Sequence, residues 1–195
     1  TVTFDANNYS KVTWNKVEGA TSYRIYRRGA GVNYWHYLGS IDAKNTSYVD
    51  YGKDVNGKNI GMKNGEYYRY TVRASYNGCL SGYLYQGTEY KSISAPTNLK
   101  TENRISGVMV SWQKSVGATG YYIYRRVPGG SWAKIGAVKG ANTLSYLDTK
   151  AVSSKNYEYT VIGYSGSYLS GFDDDGVAVK FLSSPKISSA VSTRN

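Results

Sequence analysis

The chain has 195 residues, is rich in glycine (22) and tyrosine (22), poor in proline (3), and carries a net charge of +11. No apolar run approaches the roughly 20 residues needed to cross a bilayer, so no membrane-spanning helix is expected. The single cysteine, Cys79, excludes an intramolecular disulfide and reads as a small apolar filler near a loop.

From the amino end, Val12-Thr13-Trp14 is the first clear strand signal, followed by Gly19-Ala20-Thr21 and the run Ser22–Arg28. Side chains alternate across a strand, so Tyr23 and Ile25 pointing inward sends Arg24, Tyr26 and Arg28 outward. Tyr34-Trp35-His36-Tyr37 follows, then Asp50 and a long polar stretch at 51–65. The dipeptides Asn56-Gly57 and Asn64-Gly65 predict a small extra hairpin there. A further strand alternates Tyr68, Tyr70, Val72 and Ala74 with Tyr67, Arg69, Thr71 and Arg73.

Ser94-Ala95-Pro96 then forms a short linker, and the pattern starts again. Val12-Thr13-Trp14-Asn15-Lys16 returns 98 positions later as Val110-Ser111-Trp112-Gln113-Lys114. Gly19–Arg28 returns at the same shift as Gly117–Arg126, and Tyr68, Tyr70, Val72 and Ala74 return as Tyr157, Tyr159, Val161 and Gly163. Self-similarity on this scale means two copies of one folding unit. Strands in the second copy are expected near 97–102, 107–113, 120–126, 132–138, 143–147, 156–164 and 177–182. The fold class is therefore all-β: two tandem sandwiches at 1–95 and 96–184. Ser184-Pro185-Lys186-Ile187 mirrors Ala95–Leu99, so 185–195 reads as the start of a following repeat or a tail. The short, proline-bearing linker predicts a semi-rigid rod.

The tryptophan-ended strand, the Gly-Ala-Thr-Gly-Tyr-Tyr-Ile-Tyr-Arg run and Tyr-Glu-Tyr-Thr-Val-Ile-Gly-Tyr together resemble the fibronectin type III module. The closest version is the one strung along secreted and wall-attached proteins of Gram-positive bacteria. The resemblance covers nearly the whole chain, twice, through Trp14 and Trp112, Tyr23 and Tyr121, and Tyr68 and Tyr157. It implies seven-stranded Greek-key sandwiches, an extracellular setting and a non-enzymatic spacer or interaction role. The first copy departs from the second by 9 additional residues between Asp50 and Tyr68, in the 51–65 loop.

Chemistry is sparse. The only histidine, His36, has no matching histidine in the second copy, and no nucleophile or carboxylate is marked out beside it. No pair among the 13 acids stands out for glycoside hydrolysis, and no phosphate-cradling glycine loop occurs. No catalytic residue, cofactor or metal ligand is therefore expected. Asp173-Asp174-Asp175-Gly176 lacks the alternating ligands of a calcium loop and reads as a solvated turn. Trp35 and Trp132, at equivalent positions, read as caps of the core. The candidate binding surface is the outward face bearing Arg24, Tyr26, Arg28, Tyr67, Arg69 and Arg73. Guanidinium groups over tyrosine rings suit anionic and aromatic partners. The partners weighed are a cell-wall or host glycan, as for an accessory to a polysaccharide-degrading enzyme, and a host protein, as for an adhesin. No nucleic-acid motif appears, and a monomer within a longer chain is expected.

Overall fold

The computed structural model describes residues 1–4 and 9–185, so all but the first residue of the expected 185–195 repeat start or tail lies outside the described residues. The first unit holds β1 (Val2–Phe4), β2 (Ser10–Thr13), β3 (Ser22–Gly29), β4 (His36–Asp42), β5 (Ser47–Asp50), β6 (Tyr67–Tyr76), β7 (Cys79–Leu80) and β8 (Thr88–Lys91). The second holds β9 (Thr97–Arg104), β10 (Gly107–Gln113), β11 (Gly120–Arg126), β12 (Ala133–Lys139), β13 (Ser145–Asp148), β14 (Asn156–Ser165), β15 (Tyr168–Leu169) and β16 (Val177–Lys180). Among the described residues no helix is long and apolar enough to cross a membrane.

In each unit a three-stranded sheet faces a larger antiparallel one. The orders are β1-β2-β5 against β4-β3-β6-β7, with β8 also on β6, and β13-β10-β9 against β12-β11-β14-β15, with β16 also on β14. These are two tandem sandwiches with the strand order of fibronectin type III and immunoglobulin-like domains. Alternation fixes their inner faces. Tyr23, Ile25 and Tyr70 are buried in one unit, and Tyr121, Ile123, Tyr159 and Val161 in the other. Trp14 and Trp112 meet Tyr23 and Tyr121 edge-on at 5.2 Å in both.

Each core also encloses one charged cluster. Arg27 follows the inward parity of Tyr23 and Ile25, and its Nη1 donates to Asp50 Oδ2 at 2.6 Å. The Tyr70 hydroxyl donates to the same oxygen at 2.7 Å, and Asp50 Oδ1 accepts the Gly52 N–H at 2.8 Å. Arg125, Asp148 and Tyr159 repeat this arrangement in the second unit, at 2.7 and 2.8 Å.

The 51–65 stretch is the small hairpin its turn residues predict, closed by one antiparallel bridge between Lys53 and Asn59. Asp54 Oδ1 accepts the N–H groups of Asn56 and Lys58, both at 2.9 Å. The segment is moored to the unit. Val55 N–H donates to the Tyr37 carbonyl at 3.1 Å, Arg27 Nη2 donates to the Ile60 carbonyl, and Ile60 and Met62 pack on the core.

Between the units the chain forms a packed joint. Ser94 N–H donates to the Val116 carbonyl at 3.1 Å, and Val116 N–H returns a bond to Ser94 Oγ at 2.8 Å. Lys91 Nζ donates to Ser165 Oγ at 2.9 Å, and the Tyr168 hydroxyl donates to Glu89 Oε1 at 3.0 Å. The Tyr168 ring meets Tyr67 and Tyr90 edge-on, and Ile93 packs into the second unit's core. Tyr168→Ala removes the ring and hydroxyl contacts to Tyr67, Tyr90 and Glu89 and leaves the Ser94–Val116 bonds in place. The expected result is a broader range of inter-unit orientations in residual dipolar couplings, with each unit's unfolding midpoint nearly unchanged.

Candidate functional site

The outer face of the larger sheet in the first unit carries most of the expected binding residues. Register places Arg24 opposite Arg73, Tyr26 opposite Thr71 and Arg28 opposite Arg69 across β3 and β6, while Tyr26 pairs with Tyr37 across β4. The face is not an open ladder, because the chain between β7 and β8 folds back over it. Gly87 makes that crossing possible. Its φ is +70°, and a Cβ there would lie 2.7 Å from the Trp35 ring. Trp35 therefore packs on the outer face, beneath the crossing segment, and not on the core as the sequence suggested. Trp132 does the same in the second unit against Gly176. Both tryptophans precede β4 and β12, where no alternation fixes a side, and the bulges opposite Tyr26 and Tyr124 offset the register there.

Arginine and aromatic side chains interleave across this face. The Arg28 guanidinium lies 4.5 Å from the Trp35 ring centre and 5.4 Å from that of Tyr85. Arg73 lies 5.4 Å from the Tyr83 ring and donates through Nε to the Ser81 carbonyl at 2.7 Å, and Arg24 lies 5.9 Å from the Tyr37 ring. Arg69 is paired, donating to Glu89 Oε2 at 2.8 Å and to the Gln86 carbonyl at 2.9 Å. Among the described residues Arg24, Arg28 and Arg73 make no ion pair. Tyr26, Trp35, Thr71, Arg73 and Tyr83 line a cleft of about 210 Å³. Tyr67 stands apart from this group, at the joint, with Tyr168 against its ring.

The same face of the second unit is neutralised. Arg126 lies 4.2 Å from the Trp132 ring, donates through Nε to Glu158 at 2.6 Å and through Nη2 to the Asp174 carbonyl at 2.9 Å. Trp132 Nε1–H donates to Asp174 Oδ1 at 2.9 Å, and Thr160 Oγ1 donates to the Asp173 carbonyl at 2.7 Å. The acidic turn thus fastens its own crossing segment. Among the described residues no group of three or more His, Cys, Asp or Glu side chains is placed to hold a metal. Burial, with the neighbouring Tyr122 second, raises the Tyr124 phenol above its ordinary value.

Two further readings meet the structure differently. His36 is a half-buried strand residue whose ring meets Tyr34 edge-on at 4.8 Å. Cys79 is exposed on β7, beside the tight turn of the β6–β7 hairpin, instead of filling a gap. The crossing residues Tyr83 and Tyr85 were not among the expected site residues. The repeat held the signal, since Leu84-Tyr85-Gln86 stands where the second unit has Asp173-Asp174-Asp175.

No protein-family model and no curated protein matches the chain. It is similar to solved structures that include a two-domain fibronectin type III segment of chicken tenascin. That similarity has 16% identity and a TM-score of 0.41, and covers 92% of this chain and 96% of that one. Another is a structure of the FN1–FN3 domains of chicken CNTN1, a contactin, at 14% identity and a TM-score of 0.40; it covers 90% of this chain and 60% of that one. The fold assignment rests on the strand pairing itself.

Proposed function

We propose that this pair of sandwiches is a non-catalytic interaction and spacer module of a larger extracellular protein of the Gram-positive surface type, and that the first unit's outer face engages an anionic partner. The observation that carries the reading is the set of three guanidinium groups, Arg24, Arg28 and Arg73, lying over aromatic rings without a carboxylate. At the equivalent site the second unit supplies Glu158 and Asp174 to Arg126. An uncompensated cationic face steers and retains anions, at a strength that falls as salt rises. The spacer part is supported by the packed joint. It also draws on the far pole of the first unit, where Val17–Ala20, Ala74, Tyr76 and Cys79 line an apolar hollow of about 560 Å³. Those residues stand where Ser115–Ala118, Gly163, Ser165 and Tyr168 stand at the joint.

Surface-plasmon binding of the chain to immobilised anionic wall polymer and to an acidic protein tests this reading. Arg24→Glu with Arg73→Glu is expected to lower affinity at least tenfold in 50 mM salt, with far less difference in 500 mM salt. Equal binding by the parent chain and the double variant would remove the face from consideration. The 51–65 hairpin is the weaker candidate because Val55 near its tip is bonded to Tyr37 and Ile60 after its stem to Arg27.

A further inference from the structure

We propose that Trp35 and Arg28 form a carboxylate site that takes a carboxylated pyranose, one unit of an acidic polysaccharide. This names the partner class for the face described above and rests on that reading. The second unit holds the same site already filled. There the Trp132 indole N–H donates to Asp174 Oδ1 at 2.9 Å, with Arg126 Nη1 at 3.9 Å from the same oxygen. Arg126 lies over the indole and holds the turn through the Asp174 carbonyl.

The first unit keeps every part of this arrangement except the carboxylate. Arg28 lies over Trp35, and its Nη2 donates to the Tyr85 carbonyl at 3.2 Å, so the turn backbone occupies the equivalent place. Gly87 and Gly176 approach their indoles identically, each at 2.7 Å from a built Cβ. Tyr85, however, stands where Asp174 stands. The Trp35 indole N–H is consequently buried with no acceptor, and Arg28 has no acid among the described residues. A buried donor without a partner is unfavourable, and a carboxylate arriving from outside would satisfy it together with the guanidinium. Tyr85 is 62% exposed, so its ring can exchange its contacts with Arg28 and Tyr83 for water when a ligand arrives.

The body of the ligand follows from what lies beside the indole. The cleft that Trp35 shares with Tyr26, Thr71, Arg73 and Tyr83 has a volume of about 210 Å³. That is the share of about seven waters at ~30 Å³ each, the space of one substituted ring. Its walls include three aromatic rings, whose negative faces accept the C–H groups of a flat sugar face. Arg73, also without an acid, lies on its wall to receive a second charge. An acidic polypeptide would supply the carboxylate but leave the ring-sized space unfilled.

Titration of the ¹⁵N-labelled chain, followed at the Trp35 and Trp132 indole N–H signals, tests the proposal with oligogalacturonate, neutral galacto-oligosaccharide and oligo-glutamate as probes. Oligogalacturonate is expected to move the Trp35 signal and leave that of Trp132 in place, with the neutral oligomer at least tenfold weaker. Tyr85→Asp, at an exposed position, gives the first unit its own counterpart of Asp174. It should bring the Trp35 signal towards that of Trp132 without ligand and weaken oligogalacturonate at least tenfold, whereas Tyr85→Ala should bind as well as the parent chain. No binding of oligogalacturonate, or unchanged affinity in Tyr85→Asp, overturns the site. Tighter binding of oligo-glutamate overturns the sugar assignment. If Tyr85→Asp binds normally while Arg24→Glu with Arg73→Glu does not, the carboxylate site falls and the basic face stands.

Discussion

Asp50→Ala is expected to destabilise the first unit by about 3–5 kcal/mol, the range for removing one partner of a buried ion pair. The side chains of Arg27 and Asp50 are 3% and 0% exposed, so the guanidinium left behind cannot recover its lost partner from water. The Tyr70 hydroxyl and the Gly52 N–H lose their acceptor at the same time. Against a total stability of about 5–15 kcal/mol, this is a large fraction of what keeps the unit folded. Urea unfolding should show the first unit's transition moving to much lower denaturant while the second unit's stays in place. Arg27→Met with Asp50→Leu, which removes both charges, should recover part of the loss, because a buried pair is nearly balanced by its desolvation, while the Tyr70 hydroxyl and the Gly52 N–H stay without that acceptor. Asp148→Ala should cost less, since the Arg125 side chain is 22% exposed and keeps some solvent. A loss below about 1 kcal/mol for Asp50→Ala would mean that water reaches Arg27.

Alternation along Ser22–Arg28 places Arg27 on the inner face with Tyr23 and Ile25, but parity along one strand names no partner for a buried charge. The repeat held the correction, because Arg27, Asp50 and Tyr70 return as Arg125, Asp148 and Tyr159. Three polar identities kept at inward positions are a core signal. The sandwich itself was legible because period-2 alternation is strong: β10 and β11 fall on the expected 107–113 and 120–126. The extra hairpin was legible from its turn dipeptides. The outer face was legible only in part. Parity gave Arg24, Tyr26 and Arg28 their side, but the segment from Ser81 to Gly87 has no period, so its return over the sheet left no trace in the pattern. Trp35 and Trp132 were assigned to the core for the same reason, as their covering partner was invisible. Tyr67 shares the parity of Arg69 but stands at the strand's joint-facing end, a neighbour relation that one unit's alternation cannot encode.

Alkaline pH is expected to unfold the first unit before the second. Burial pushes the Tyr90 phenol up to about 12, with the Ser10 hydrogen bond opposing it. Tyr70 is raised well above its ordinary value by burial and then by the Asp50 charge, and Tyr159 is raised by burial and then by its hydrogen bond to Asp148. In the unfolded chain these phenols release protons near pH 10. Above that pH the unfolded chain therefore binds fewer protons than the folded one, and stability falls as pH rises. Below pH 10 the phenols are protonated in both states and contribute no slope. For Tyr90 the loss runs from pH 10 to about 12 and amounts to ~3 kcal/mol at ~1.4 kcal/mol per unit. The second unit has Val179 at the equivalent place, so it holds one strongly raised phenol, Tyr159, where the first holds two; the lesser rises are Tyr48 in the first unit and Tyr124 and Tyr168 in the second. Urea midpoints measured from pH 9 to 12 should fall faster for the first unit. Tyr90→Phe should flatten that fall by about its own share while changing the midpoint little at pH 7. A first unit whose midpoint stays level from pH 10 to 12 would show that Tyr90 titrates as freely folded as unfolded, and that its buried environment does not hold the proton.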